Sequence, residues 1–133
     1  MPLQNASSNS PTEADADRLD RVKKIVQERV PPREAVLIAP FLTTLYCALE
    51  KESPVWEIYF YLPQPEAVQK KIIRQLEERK VKWAILGNLA PDGIEERRLS
   101  NTHPLLWEYL MTHFDAASDE EVWQGHYLIK RKA

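Results

Sequence analysis

The sequence predicts an α/β fold: a single three-layer domain with a mostly parallel central sheet and a C-terminal antiparallel strand or hairpin. Three observations carry this. Residues 35–40 read Ala-Val-Leu-Ile-Ala-Pro, an unbroken apolar run between Pro31-Pro32 and the stop at Pro40, as expected of a strand buried on both faces. Residues 80–87 repeat the grammar of charged turn, apolar strand and glycine. Helical apolar spacing fills the segments between, and helix alternating with strand builds α/β layers. The strand at 35–39 is expected at the centre of the sheet. The strand at 82–86 should lie parallel to it as neighbour or near neighbour, because helix-linked apolar strands return by a right-handed crossover.

The elements follow in chain order. Residues 1–9, rich in Ser, Asn and Gln, read as a flexible lead-in, and residues 10–133 as one α/β domain. Ser10-Pro11-Thr12-Glu13 is a capping-box pattern that opens a helix, with Leu19, Val22, Ile25, Val26 and Val30 on its buried stripe and Pro31-Pro32 at its end. After the first strand, Phe41, Leu42, Leu45, Tyr46 and Leu49 share one face of a short helix. Lys51-Glu52-Ser53-Pro54 is a turn. Residues 55–62, with Trp56, Ile58, Phe60 and Leu62 on one side, predict a second strand or an extended edge.

Pro65 at the first helical position opens the next helix, with Val68, Ile72, Ile73 and Leu76 buried and Glu66 paired to Lys70 one turn on. The loop at 88–100, with Pro91-Asp92-Gly93 at its tip, leads to a helix capped by Asn101-Thr102-His103-Pro104. Its face is Leu105, Leu106, Tyr109, Leu110 and His113. Residues 115–121 form an acidic turn. Residues 122–124, Gly125 and 126–132 then read as strand, turn and strand, and Lys130-Arg131-Lys132 as a solvated edge that discourages aggregation.

At 133 residues and 44% hydrophobic content the chain suits one domain with a real core. Its net charge of -2, with cations and anions interspersed, disfavours nucleic acid as a partner. No apolar run reaches the length of a membrane span and no basic segment precedes an apolar core at the N-terminus, so direct membrane insertion is not expected. The single Cys47 makes no internal disulfide and sits in an expected buried helix, where a thiol packs as a small hydrophobe. Only three glycines disfavour a phosphate-cradling loop, and the dinucleotide, nucleotide, zinc and nucleophile motifs are all missing from the sequence. No cofactor and no metal are expected. His103 and His113 lack carboxylate or cysteine partners at ligand spacing, and read instead as a cap and a helix C-terminal residue.

Ligands of open α/β sheets sit beyond the carboxyl ends of the strands. Pro40, Thr43 and Tyr46 leave the first strand, and Asn88 and Asp92 leave the second, so these five are the candidate ligand-binding residues. The aromatic run Tyr59-Phe60-Tyr61 offers a competing stacking platform, although only Glu57 is charged near it. Asp92, His103 and Asp115 are the side chains available for acid and base work, but nothing in their spacing brings them together, and the catalytic residues are unknown.

The order Val30-Pro31-Pro32, Val36-Leu37-Ile38-Ala39-Pro40-Phe41, Leu45-Tyr46, Ser53-Pro54 and Tyr59-Phe60-Tyr61-Leu62-Pro63 resembles the carboxyl-terminal soluble tail of a family of bacterial membrane glycosyltransferases. These are akin to the dolichyl-phosphate-mannose protein mannosyltransferases and use polyprenyl-phosphate sugars. The resemblance continues through residues 72–86, Pro104-Leu105-Leu106-Trp107-Glu108-Tyr109-Leu110 and Gly125-His126-Tyr127-Leu128-Ile129. The catalytic carboxylate of that family lies in a loop near its first membrane helix, which has no counterpart here, so no catalytic residue is carried over. The resemblance implies a non-catalytic accessory or binding domain, partnered by the membrane glycosyltransferase portion or its glycan acceptor. It implies the extracytoplasmic face of a bacterial inner membrane; without it the expected location is cytoplasmic. A small standalone α/β enzyme and a protein-interaction module are the alternatives. Converging ionisable groups beyond Pro40 and Leu86 would favour the enzyme, and a contiguous exposed apolar patch the module.

Overall fold

The computed structural model describes residues 13–40, 44–55, 60, 62–117, 121–123 and 125–132. The Ser10-Pro11-Thr12 cap, the lead-in, Thr43 and the aromatics Trp56, Tyr59 and Tyr61 lie outside the described residues.

Helix α1 (Glu13–Arg29) buries Val22 and Val26, with Val30 just after it, and half-buries Leu19 and Ile25, the expected stripe. Strand β1 (Val36–Ala39) is wholly inaccessible to solvent, as its apolar run requires. A short helix α2 (Thr44–Ala48) follows, then α3 (Glu66–Glu78), β2 (Trp83–Gly87), α4 (Leu99–Thr102), α5 (Pro104–His113), β3 (Phe114–Ala116) and β4 (His126–Arg131). Pro65 stands at the N-cap of α3, one residue before the expected first turn, because its extended ψ of 157° keeps it outside the helix. The loop between β2 and α4 is built from two 3-10 turns, Pro91–Gly93 and Glu95–Arg97.

Among the described residues one sheet runs in the order β1-β2-β4-β3. β1 and β2 are parallel neighbours with Ile38 opposite Ile85, as the sequence predicts. The sheet is mixed rather than mostly parallel: β4 pairs antiparallel with both β2 and β3. The cause is β3, which follows α5 directly and lets the returning β4 insert beside β2.

Among the described residues β1 is therefore an edge strand and not the centre. Its full burial comes from helices packed on its faces and from α2 at its side, so an apolar run reports burial, not position in the sheet. β4 is internal, so residues 130–132 are not the expected edge. Residues 114–116 were expected within a helix end and an acidic turn; three residues with only Phe114 buried leave no alternation to detect. Val55, Phe60 and Leu62 belong to no strand, and Phe60 is buried with its N–H donating to the Pro40 carbonyl at 3.1 Å.

Successive side chains of a strand point to opposite faces, and two hydrophobic clusters result. Leu37, Ala84, Leu86 and Ile129 meet Ile72, Leu76, Leu106 and Leu110 from α3 and α5. Val36, Ile38, Trp83, Ile85 and Leu128 meet Val22, Val26 and Leu45 from α1 and α2. Cys47 is exposed, contrary to the buried position expected for it, because the short α2 turns Leu45 and Tyr46 inward instead. His113, expected on the apolar face of α5, is exposed and lies tilted against the Tyr109 ring at 4.9 Å.

Candidate functional site

The candidate residues after β1 hold structure together. Pro40 is buried and its carbonyl accepts from Phe60. The Tyr46 hydroxyl accepts the Ile38 N–H at 2.8 Å, and burial pushes its pKa up. After β2, Asn88 works as a clamp on the start of α4: its Oδ1 accepts the Ser100 N–H at 2.9 Å, its Nδ2 donates to Ser100 Oγ at 3.1 Å, and its carbonyl accepts from Arg98. Asp92 is exposed in the left-handed region at φ 55°, with its carboxylate 3.7 Å from Arg97. Thr43 is outside the described residues. β1 and β2 are neighbours with Ala39 opposite Leu86, so Pro40 and Asn88 leave adjacent strand ends; the cavity beside β2 is lined by Asn88 and not by Pro40, Tyr46 or Asp92. His103, expected as a cap, occupies the N-cap position of α5 without a side-chain cap. Its buried ring places Nδ1 at 2.7 Å from Thr102 Oγ1 and meets Phe60 edge-on at 5.0 Å.

Asn88 does open onto a crevice. Beyond the carboxyl end of β2, on the α5 face, a cavity of 500 Å³ is walled by Leu86, Leu89, Trp107, Met111, Phe114, Tyr127 and Ile129, with Asp115 its one charged lining residue among the described residues. Trp107 and Met111 stand one turn apart on α5 and so share a face. Leu89, Met111 and Tyr127 are 38%, 45% and 43% exposed, which makes this an apolar surface open to solvent. Its floor requires two glycines. A Cβ on Gly87 would stand 2.6–2.9 Å from the buried His126 ring, and one on Gly125, at φ 68°, would stand 2.7 Å from Leu89.

Sequence reasoning missed Trp107, Met111, Leu89 and Tyr127. A signal existed: Trp107 and Met111 are apolar yet fall off the Leu106-Tyr109-Leu110 stripe, so the core does not fully use them.

Two further groupings flank the crevice. A cleft of 680 Å³ on the α1 face of the sheet is lined by Arg29, Lys82, Lys130, Arg131 and Lys132, with Asp115 the single acid among the described residues and Trp83 beneath the Lys130 ammonium at 5.1 Å. On the other face, Tyr109 donates to Glu77 Oε1 at 2.6 Å, and Arg131 Nη1 donates to the Tyr109 hydroxyl at 2.6 Å and to Glu77 at 3.3 Å. Burial and the Glu77 hydrogen bond push the Tyr109 pKa up to about 12. The Tyr109 hydrogen bond, followed by the Arg131 charge, holds Glu77 below the ordinary carboxylate range. This network ties α3, α5 and β4 together, and Glu77 and Arg131 also line a small cavity of 190 Å³. Among the described residues, no group of three His, Cys, Asp or Glu side chains is placed to hold a metal ion, and no helix is long and apolar enough to cross a membrane.

No protein-family model, no curated protein and no solved structure matches this chain.

Proposed function

We propose that the chain is a binding domain whose ligand-carrying surface is the apolar crevice between α5 and the β3-β4 end of the sheet. The observation that carries this reading is the wall of exposed Leu89, Met111 and Tyr127 with half-buried Trp107, apolar side chains that neither core cluster absorbs fully. Pockets of this volume with apolar walls and few polar groups hold apolar ligands or side chains. The domain acts by docking, without catalysis of its own. The two clusters on opposite sheet faces support reading the fold as three layers. The resemblance of its quoted segments to the soluble tail of polyprenyl-phosphate-sugar-dependent membrane glycosyltransferases supports an accessory role beside such an enzyme, on the extracytoplasmic face, with the transferase portion or its glycan acceptor as partner.

Titration with the apolar dye ANS, followed by backbone NMR, tests the crevice. Shifts confined to residues 86–89, 107–116 and 125–129, abolished by Met111→Lys with the thermal transition unchanged, are expected. Shifts elsewhere, or the same shifts in Met111→Lys, overturn the assignment. For the accessory role, co-expression with the membrane portion of a related transferase should retain the domain in the membrane fraction; its full release at physiological salt would remove that role.

A further inference from the structure

The two edges of the sheet are finished differently. β1 offers an outward N–H at Ile38, which the Tyr46 hydroxyl takes up. β3 has Asp115 and Ala116 exposed. In the β3-β4 ladder, Lys132 N–H donates to the His113 carbonyl at 2.8 Å and Ala117 N–H to the Leu128 carbonyl at 2.9 Å, with Asp115 opposite Lys130 between them. Antiparallel pairs alternate between those that exchange hydrogen bonds and those that do not. Residues 113, 115 and 117 therefore bond inward, and Phe114 and Ala116 turn their peptide groups outward. The Phe114 N–H is taken by the Leu110 carbonyl at the end of α5. The outer edge of β3 thus presents the Phe114 carbonyl together with the N–H and carbonyl of Ala116.

We propose that β3 is a docking edge for an extended peptide segment of another protein, which adds as an antiparallel strand, seats alternate apolar side chains in the crevice, and carries acidic side chains opposite His113 and Ala117. This rests on the reading of the crevice as the ligand-carrying surface and adds the class of partner.

Ala116 and Asp115 line both the crevice and the basic cleft, so β3 is the wall between them. A strand laid along that wall sends every second side chain to each face. Side chains opposite Phe114 and Ala116 point toward Trp107 and Met111. The others point toward the basic face, where Arg29 donates to the Ala117 carbonyl at one end and Lys132 stands beside His113 at the other. Among the described residues, Arg29, Lys130 and Lys132 outnumber Asp115 there, and the Lys132 to Asp115 pair is long at 3.8 Å. Acids at the two flanking positions meet these cations. A residue directly opposite Asp115 must not be acidic, since like charges on facing strand positions repel.

A second copy of this chain fits less well. Antiparallel pairing of two β3 edges brings the basic cleft of one copy against that of the other, and juxtaposed like charge disfavours the contact. Main-chain bonds of this kind supply affinity while the alternate pockets supply specificity.

The test uses the whole chain and a capped peptide with the core Glu-Leu-Ser-Leu-Glu, which reads the same in both directions. The comparators are its form N-methylated at both leucines, its form with Lys for both Glu, and the Ala116→Pro variant of the protein. Proline removes only an outward N–H, which an edge strand tolerates; the melting transition of the variant reports whether the fold is kept. The parent peptide should bind wild-type protein at least about tenfold more tightly than either comparator peptide, and Ala116→Pro should lose a similar factor. Shifts should centre on residues 107, 111, 114 and 116.

Equal binding of the N-methylated peptide overturns strand addition yet leaves the crevice reading standing. Equal binding of the Lys peptide overturns the acidic partner. No peptide binding, with ANS still bound in the crevice, overturns the docking edge alone; no binding of either ligand overturns both readings. A concentration-dependent dimer that Ala116→Pro dissolves would assign the edge to a second copy instead.

Discussion

The Tyr46 hydroxyl lies 2.8 Å from the Ile38 nitrogen and accepts its N–H, satisfying an outward donor of the fully buried strand β1. In parallel pairing alternate peptide groups of β1 face away from β2, and a buried N–H without a partner is costly. The side chain that looked like a ligand contact in the sequence is spent on the backbone.

Tyr46→Phe should therefore destabilise the chain by about 1–3 kcal/mol, because it strands a buried donor. Chemical denaturation measures this directly. Binding of ANS or peptide at the crevice should be unaffected, since the crevice is lined by other residues.

Gln69 holds a second orphaned helix end. Buried on α3, its Oε1 accepts from the Leu105 N–H at 2.7 Å and the Leu106 N–H at 3.4 Å, while its Nε2 donates to the Gln64 carbonyl at 2.8 Å. The first N–H groups of a helix have no partners within it, and here a neighbouring helix supplies the acceptor. Gln69→Leu keeps the volume but removes the acceptor, and should cost about 1–3 kcal/mol. Faster amide exchange at Leu105 and Leu106 is the specific signature.

Gly87 is buried in β2, and Gly87→Ala should be damaging. The new Cβ would meet the His126 ring, buried and held within the sheet, at 2.6–2.9 Å. Overpacking of this kind costs about 1–3 kcal/mol, and it should also disturb the crevice floor. A melting temperature equal to that of the wild type would contradict the close approach.

The Tyr109-Glu77-Arg131 network should show in the pH dependence of stability at both ends. Glu77 has a lowered pKa in the folded chain, so its contribution is present above the ordinary carboxylate pKa and fades as pH falls through the lowered value. Tyr109 has a raised pKa of about 12. Its contribution is intact below the ordinary tyrosine value of about 10 and is lost as pH climbs to the raised one, because the unfolded chain ionises first. Tyr109→Phe should abolish the alkaline component and let the Glu77 pKa rise, which carboxyl-detected NMR can follow. An unchanged Glu77 titration would show that the hydrogen bond does not set its value.

Several elements were legible in the chain alone. The buried stripe of α1, the apolar strands β1 and β2 and their parallel pairing follow from periodicity and from the handedness of crossovers, which are properties of local chain and simple topology. His113 at the end of α5 followed from the same spacing, though not its exposure. What tertiary structure alone decided was which groups share a surface. Pro40 and Tyr46 were drawn into packing and backbone bonding, and of the described candidates only Asn88 lines the crevice. The insertion of β4 beside β2 left β3, too short to carry a pattern, as the open edge between apolar and basic surfaces. Trp107, Met111, Leu89 and Tyr127 are separated in sequence and meet only because α5 crosses the end of that mixed sheet. Burial is encoded locally by apolar spacing, but adjacency between strands is set by long-range pairing, and that is where the candidate site resides.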